Sequence, residues 1–267
     1  MGKSRHSLYA RNSLRLVEKI ASGLCEEHVE KPNAIQFAYA KSVRIIALAE
    51  LSAEANPKRA RHQQAYMKSE IPYFGLSVPR CRRIAHEMLR DFPPQNSKAW
   101  VSAILLLWRD ATHREERYVA IELFLHKKFT RWLVAEQLPV LEEMVITGAW
   151  WDYVDALAAR GVGTMLANDP IQTKRILYKW AKDQNIWKRR VAILAQLKSK
   201  TNTDVDLLSK CIKPSIGHSE FFLRKGIGWA LREYSKTDPV WVREFVEKHP
   251  DLSDLSRREA LKHITRA

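Results

Sequence analysis

Apolar positions in this chain recur at helical spacing, and the helical segments themselves recur. WWDYVDALAA, WKRRVAILAQL and FFLRKGIGWAL each carry a small residue followed by Leu or Ile: Ala156-Leu157, Ala192-Ile193 and Gly226-Ile227. The same pair stands earlier at Ala120-Ile121 and later at Ala260-Leu261. The intervals are therefore 36 (156 minus 120), 36 (192 minus 156), 34 (226 minus 192) and 34 (260 minus 226) residues. Periods of this size belong to stacked helix pairs, because one pair cannot bury its own apolar face and needs neighbours. No stretch sustains the two-residue alternation of a half-buried strand, so the pattern predicts an all-α array.

Local signals divide the array into elements. Residues 1–30 carry Leu14, Leu16, Val17 and Ile20 at helical spacing, but also a basic, serine-bearing start with no acid before Glu18. They fit an N-terminal helix or a mitochondrial presequence, and the helix is preferred. A second helical pattern runs from Asn33 to Ser52. NPKRARHQ from Asn56 reads as a charged link into a short helix with Tyr66 and Met67. Pro79 opens a basic helix with Ile84, Met88 and Leu89 inward, and Pro93-Pro94 ends it. Asp169-Pro170, Thr203-Asp204 and Asp238-Pro239 look like capped starts of the first helix of a pair. The partner helices then begin near Asn185, Ser219 and Asp254.

Composition narrows the chemistry. Nine glycines in 267 residues are about half of average usage, and neither GxGxxG nor GxxxxGK occurs. No apolar run approaches the roughly 20 residues needed to span a bilayer, and MGKSRH lacks the Ser or Thr at position 6 of a myristoylation signal. A soluble protein is expected. Cys25, Cys81 and Cys211 are odd in number and far apart, which fits a reducing compartment better than a disulfide framework. His6, His126, His218 and His263 are scattered, so no metal is expected. The net charge of +15 points to a polyanion, since the arginines fall in register rather than at random.

Two positions before the repeated small residue lie Arg190, Arg224 and Arg258, with Lys188, Arg189 and Lys225 beside them. Stacking should align these guanidiniums on one ridge, either as a phosphate track or as a ladder to Glu220, Glu233 or Glu259. Asp155 interrupts this basic register, where an acid repels a polyanion unless it has work to do there. Trp151, four residues before it, shares its helix face. Trp150 and Trp151 cannot share a face, so Trp150 is expected inward and Trp151 outward. Trp187 and Phe221 occupy the position equivalent to Trp151; Trp187 reads as core, and Trp229 fits either a core or a ligand-facing place.

ITGAWWDYVDALA, DQNIWKRRVAILAQLK, EFFLRKGIGWALREYSKTDP, LSRREALKHI and AYMKSEIPYFGLSVPRCRRI together resemble the HEAT-like-repeat alkylpurine DNA glycosylases of the AlkD type. The resemblance runs from about Ala65 to Ile264. It implies a right-handed superhelical solenoid of HEAT-like antiparallel helix pairs with a concave basic face, occupying 61–267 after an N-terminal extension of 1–60. It also implies a cofactor-free, monofunctional hydrolase that releases 3-methyladenine and 7-methylguanine from duplex DNA while the base stays stacked. Asp155 takes the catalytic place, Trp151 and Trp229 flank the lesion, Arg190 grips DNA, and Tyr66 lies near the lesion. A monomer is expected, cytoplasmic and nucleoid-associated, or nuclear or mitochondrial if the chain is eukaryotic. A different class of protein, a noncatalytic helical-repeat binder of damaged or branched nucleic acid, shares the fold but has no need of Trp151, Asp155 and Trp229 together.

Overall fold

Caps written in the sequence set most of the helix boundaries. The computed structural model describes residues 32–264; the expected N-terminal helix and Cys25 lie outside them. Asn33 closes a reciprocal capping box with Gln36 and starts α1 (Ala34–Ala53). Asn56 then caps α2 (Pro57–Met67), with Pro57 at the first helical position. The segment NPKRARHQ is thus helical from its second residue rather than a link, because Asn followed by Pro supplies both the side-chain cap and the fixed φ that a helix start requires. There follow α3 (Val78–Asp91), α4 (Ser97–Arg109) and α5 (Arg114–Phe124).

The chain separates into two compact units at Phe129/Thr130. In the first, α1 packs on α4 and α3 on α5. Their shared core holds Trp100, Trp108 and Phe124, all essentially without solvent contact. In the second unit short 3-10 turns, the last at Ala135–Gln137, lead into α6 (Leu138–Gly148), then α7 (Trp151–Ala156) and α8 (Gly163–Asn168), which are joined through a π turn at Leu157–Val162.

Three helix pairs complete the second unit: α9 (Pro170–Trp180) with α10 (Ile186–Leu194), α11 (Val205–Ile212) with α12 (Phe221–Tyr234), and α13 (Pro239–Lys248) with α14 (Asp254–Ala260). The leading helix of each pair starts as the sequence predicts. Asp169, Asp204 and Asp238 accept hydrogen bonds from the backbone N–H groups of Gln172, Leu207 and Trp241. Second helices pack on one another in succession, α7 on α10, α10 on α12, and α12 on α14. The repeated small residues lie in these contacts, with Ala192 and Ala260 buried and Gly226 buried on α12. No β-strand occurs among the described residues, so the protein is all-α.

Candidate functional site

Asp155 reaches its place through a tight corner. Gly148 ends α6, Ala149 turns in the left-handed region at φ 38°, and extended Trp150 caps α7. Trp151 and Asp155 then stand four residues apart, on one face of α7. Below them the helix widens into its π turn, a feature frequent beside functional residues. Gly163, just past the turn, lies so close to the Ala195 carbonyl that a Cβ there would come within 2.9 Å of the oxygen.

Arg190 on α10 meets the carboxylate with two parallel bonds. Its Nε donates to Asp155 Oδ1 at 2.6 Å and its Nη2 donates to Oδ2 at 2.9 Å. Its Nη1 donates to the backbone carbonyl of Phe222 on α12. One guanidinium thereby ties three successive second helices together. Gly226 makes room for it, since a Cβ at that position would stand 3.1 Å from Nη1. Trp229 follows Gly226 by three residues, one turn further along α12, and is half-buried, as is Trp151.

The pair is poorly hydrated, with side-chain exposures of 13% for Asp155 and 4% for Arg190. Burial pushes the Asp155 carboxyl above the usual carboxylate range. The Arg190 bonds and charge pull it down, and the neighbouring charge of Asp152 adds to the rise. Asp155 is therefore an acid whose charged form rests on one partner.

An aromatic cluster backs the site. Trp150 packs on Phe222 with centroids 5.5 Å apart and on Trp187 at 6.4 Å, while Trp187 and Phe222 are 4.9 Å apart. Trp187 is buried, in keeping with the core reading, and the ring of Trp150 is its neighbour there. The two adjacent tryptophans do not divide simply into one core and one surface residue, for both are half-buried. The indole N–H of Trp150 is buried with no hydrogen-bond partner.

The expected row of free guanidiniums is not uniform. Asp155 draws Arg190 inward; Arg224 is half-buried with an unpartnered Nε, and Arg258 is exposed. Arg189 turns away to the Pro214 carbonyl and the Ser215 hydroxyl. Lys188 pairs with Glu142 and with Asp183. Lys225 and Arg232 both bond Glu259, the lysine at 2.7 Å, so the ladder to a glutamate exists, but on different cations from those expected. Tyr66 belongs to the first unit, on α2, where it is 77% exposed.

Arg190's second partner, the Phe222 carbonyl, was beyond reach of the sequence, because every residue has a backbone oxygen. Gly226 was within reach, as the one repeat whose small residue lacks a Cβ. Cys81 and Cys211 are buried free thiols; burial pushes Cys211 up to about 12 and Cys81 higher still. Among the described residues no group of three or more His, Cys, Asp or Glu could hold a metal ion, and no helix is long and apolar enough to cross a membrane.

Fold and site together define an all-helical repeat protein with a desolvated carboxylate held between stacked second helices. The family of DNA alkylation repair enzymes matches residues 47–264, and the chain belongs to that family. The solved structure of a predicted DNA alkylation repair enzyme from Enterococcus faecalis is similar at a TM-score of 0.72 and 33% identity, covering 80% of this chain and 98% of that one. The alkylpurine DNA glycosylase AlkC of Pseudomonas fluorescens, bound to DNA containing an abasic site analog, aligns at a TM-score of 0.47 and 17% identity, over 88% of this chain and 66% of that one. No curated protein matches the chain in sequence.

Proposed function

We propose that this protein is a monofunctional DNA glycosylase of the AlkD type, which hydrolyses the N-glycosidic bond of cationic alkylated purines such as 3-methyladenine and 7-methylguanine in duplex DNA. The observation that carries the reading is the Asp155–Arg190 pair. A family that repairs alkylated DNA has here a carboxylate only 13% exposed, on the same helix face as a half-buried tryptophan.

An alkylated purine already bears positive charge and leaves without protonation. What remains is to favour the positive charge that grows on the deoxyribose as the bond lengthens. A fixed carboxylate does this without reorganising, and interactions of that kind are worth about 3 kcal/mol of barrier. Arg190 keeps Asp155 ionised and oriented, so its role here is closer to positioning the acid than to gripping phosphate. Trp151 and Trp229 supply ring faces to the cationic sugar, at about 0.5–2 kcal/mol each. In this scheme Asp155 also orients the attacking water. Arg224, Arg258, Lys188, Lys225 and Tyr66 bind DNA, the two lysines by exchanging their carboxylate partners for phosphate.

Extrusion of the base into a closed pocket is the usual route of glycosylases. If the acid and the indoles act on the sugar, the base need not leave the stack. No cofactor enters this scheme, and a monomer suffices for it. The test is release of free base from methylated duplex DNA without added metal or nucleotide. Wild-type protein should release 7-methylguanine while Asp155→Asn binds the same DNA and releases none. Equal single-turnover rates for the two would end the proposal, and binding without release by the wild type would favour the noncatalytic reading.

A further inference from the structure

α1 buries only one of its apolar sides. Its sequence, AIQFAYAKSVRIIALAELSA, holds three charged residues, Lys41, Arg44 and Glu50, and a helix apolar nearly all round belongs in an interior. Yet only Ala40, Val43, Ala47 and Leu51 are buried. Arg44 is committed inward, its Nη2 donating to the Asp110 carbonyl at 2.8 Å and its Nε standing 3.7 Å from the buried Glu116 carboxylate.

The opposite side is open. Ile35, Phe37 and Ile45 are 70%, 42% and 67% exposed, and Ala34, Ala38 and Ala49 lie exposed between and beside them. Single apolar residues at a surface are ordinary. Among the described residues, however, three of the nine large exposed hydrophobic side chains fall within this one stretch of α1. Its one outward cation, Lys41, has its Nζ over the Phe37 ring at 4.5 Å and no ion pair among the described residues.

The chain itself carries a cover of the right kind. Residues 1–31 lie directly before the described ones. There Leu14, Val17, Ala21 and Leu24 recur at steps of three, four and three, with Leu16 and Ile20 alongside, while Arg15, Glu18, Lys19 and Ser22 share the other side. That is the pattern of a helix with one apolar and one polar face. Leu14 to Leu24 and Ile35 to Ile45 each advance ten residues, about 15 Å of helix. Between Leu24 and Asn33 stand eight residues (25 to 32), a length that joins antiparallel neighbours, and Pro32 keeps one helix from running on into the next. Antiparallel docking sets Leu24 against Ile35 and Leu14 against Ile45, with Glu18 at the level of Lys41.

We infer that residues 14–24 form a helix that docks antiparallel on the outward side of α1 and covers Ile35, Phe37 and Ile45. Helical arrays need a terminal element that is apolar inward and polar outward, and this segment has both faces. A lipid surface fits α1 less well, because interfacial helices surround their apolar face with several cations and this one offers Lys41 alone. The inference stands on α1 and does not depend on what Asp155 does.

The test is hydrogen exchange on the full chain, read by mass spectrometry. Amides of residues 14–24 are expected to exchange about tenfold or more slowly than the same residues in an unstructured peptide. Ile45→Asp, at a position outside the core, should abolish that protection while α4 and α5 keep theirs. Should Ile45→Asp disturb α1 itself, the double variant Val17→Asp, Ile20→Asp alters only the segment and should have the same effect. Unprotected exchange of residues 14–24 in the wild type overturns the inference, and so does protection that survives both variants. Protection that appears only as protein concentration rises, together with a doubled mass in sedimentation, overturns it as well and gives the face to a second copy of the chain.

Discussion

Arg190 holds Asp155 by both carboxylate oxygens, at 2.6 and 2.9 Å, in surroundings that leave the acid 13% and the arginine 4% exposed. Such a pair offers a nearby cationic sugar less attraction than a bare carboxylate does, but it keeps the charge in one place. Removing one member of a buried pair is far more costly than removing both, since the survivor is left unsolvated; losses of about 3–5 kcal/mol are typical.

The first prediction concerns pH. Burial raises the Asp155 carboxyl and Arg190 opposes the rise. If ionised Asp155 does the chemistry, single-turnover base release should fall on the acid side through a midpoint above the roughly 3.9 of an ordinary aspartate. Arg190→Gln removes the opposing influence, so this limb should move to higher pH and release should suffer more at pH 6 than at pH 8. Stability follows the same sign. An acid whose folded value is raised binds its proton more tightly when folded, so the stability of Arg190→Gln should drop as pH climbs from the unfolded value through the folded one. Acid limbs that coincide in the two proteins would remove Arg190 from the positioning role.

Trp151 and Trp229 are next. Each is half-buried, one on the Asp155 face of α7 and the other one turn beyond Gly226 on α12. Trp151→Ala and Trp229→Ala should each slow single-turnover release roughly 3- to 30-fold, the equivalent of about 0.5–2 kcal/mol of cation–π contact, with smaller changes in DNA affinity. Trp187→Ala should behave differently. Its ring is buried against Trp150 and Phe222, so it should lower the melting temperature first, by about 3–5 kcal/mol of folding free energy. Reversal of that order would mean that the rings have been assigned the wrong way round.

Particular residues show how much of this was legible in the sequence. Asp169, Asp204 and Asp238 announce three helix starts because a side-chain cap is a local event, complete within four residues. The 34–36-residue period foretells successive second helices in contact, and the four-residue interval from Trp151 to Asp155 foretells their common face. Arg190 was legible as important but not as buried. In WKRRV two arginines stand side by side; Arg189 goes to the Pro214–Ser215 loop and Arg190 to an aspartate 35 residues away, a choice fixed by α7–α10 packing that no local pattern contains. The π turn after Asp155 and the Phe222 carbonyl are invisible for the same reason. α2 was obscured by its charge, although Asn56-Pro57 carried the helix signal.

Asp204 gives a stability prediction with a defined pH window. It caps α11 through the Leu207 N–H at 3.0 Å and pairs with Lys174 at 2.7 Å. The Lys174 bond first, and the Leu207 N–H after it, hold the carboxyl below the usual carboxylate range. Asp204→Ala should cost about 1–2 kcal/mol at neutral pH, most of it from the cap, since the pair is substantially exposed. An acid with a lowered folded value stabilises above its unfolded value and loses that contribution as pH falls through the folded one. The gap in melting temperature between wild type and variant should therefore hold steady from pH 7 to about 5 and narrow below about 4. A gap independent of pH throughout would show that the carboxylate charge contributes nothing.

Gly75 and Gly217 separate two reasons for a glycine. Both have positive φ, 97° and 76°. A Cβ on Gly217 meets nothing within 4 Å, whereas on Gly75 it would stand 2.2 Å from the Asn56 carbonyl oxygen and 3.0 Å from the Ala60 nitrogen. Neither neighbour can yield alone, since Asn56 caps α2 and Ala60 lies within it, and the Gly75 N–H is itself fixed at 2.8 Å to the buried Glu115 carboxylate. Gly217→Ala should therefore cost about 1–2 kcal/mol for the left-handed backbone alone. Gly75→Ala adds the displacement of a helix start and should cost clearly more, above about 3 kcal/mol. Thermal melts on the two variants make the comparison, and equal destabilisation by both would show that the close approach at Asn56 relaxes at no cost.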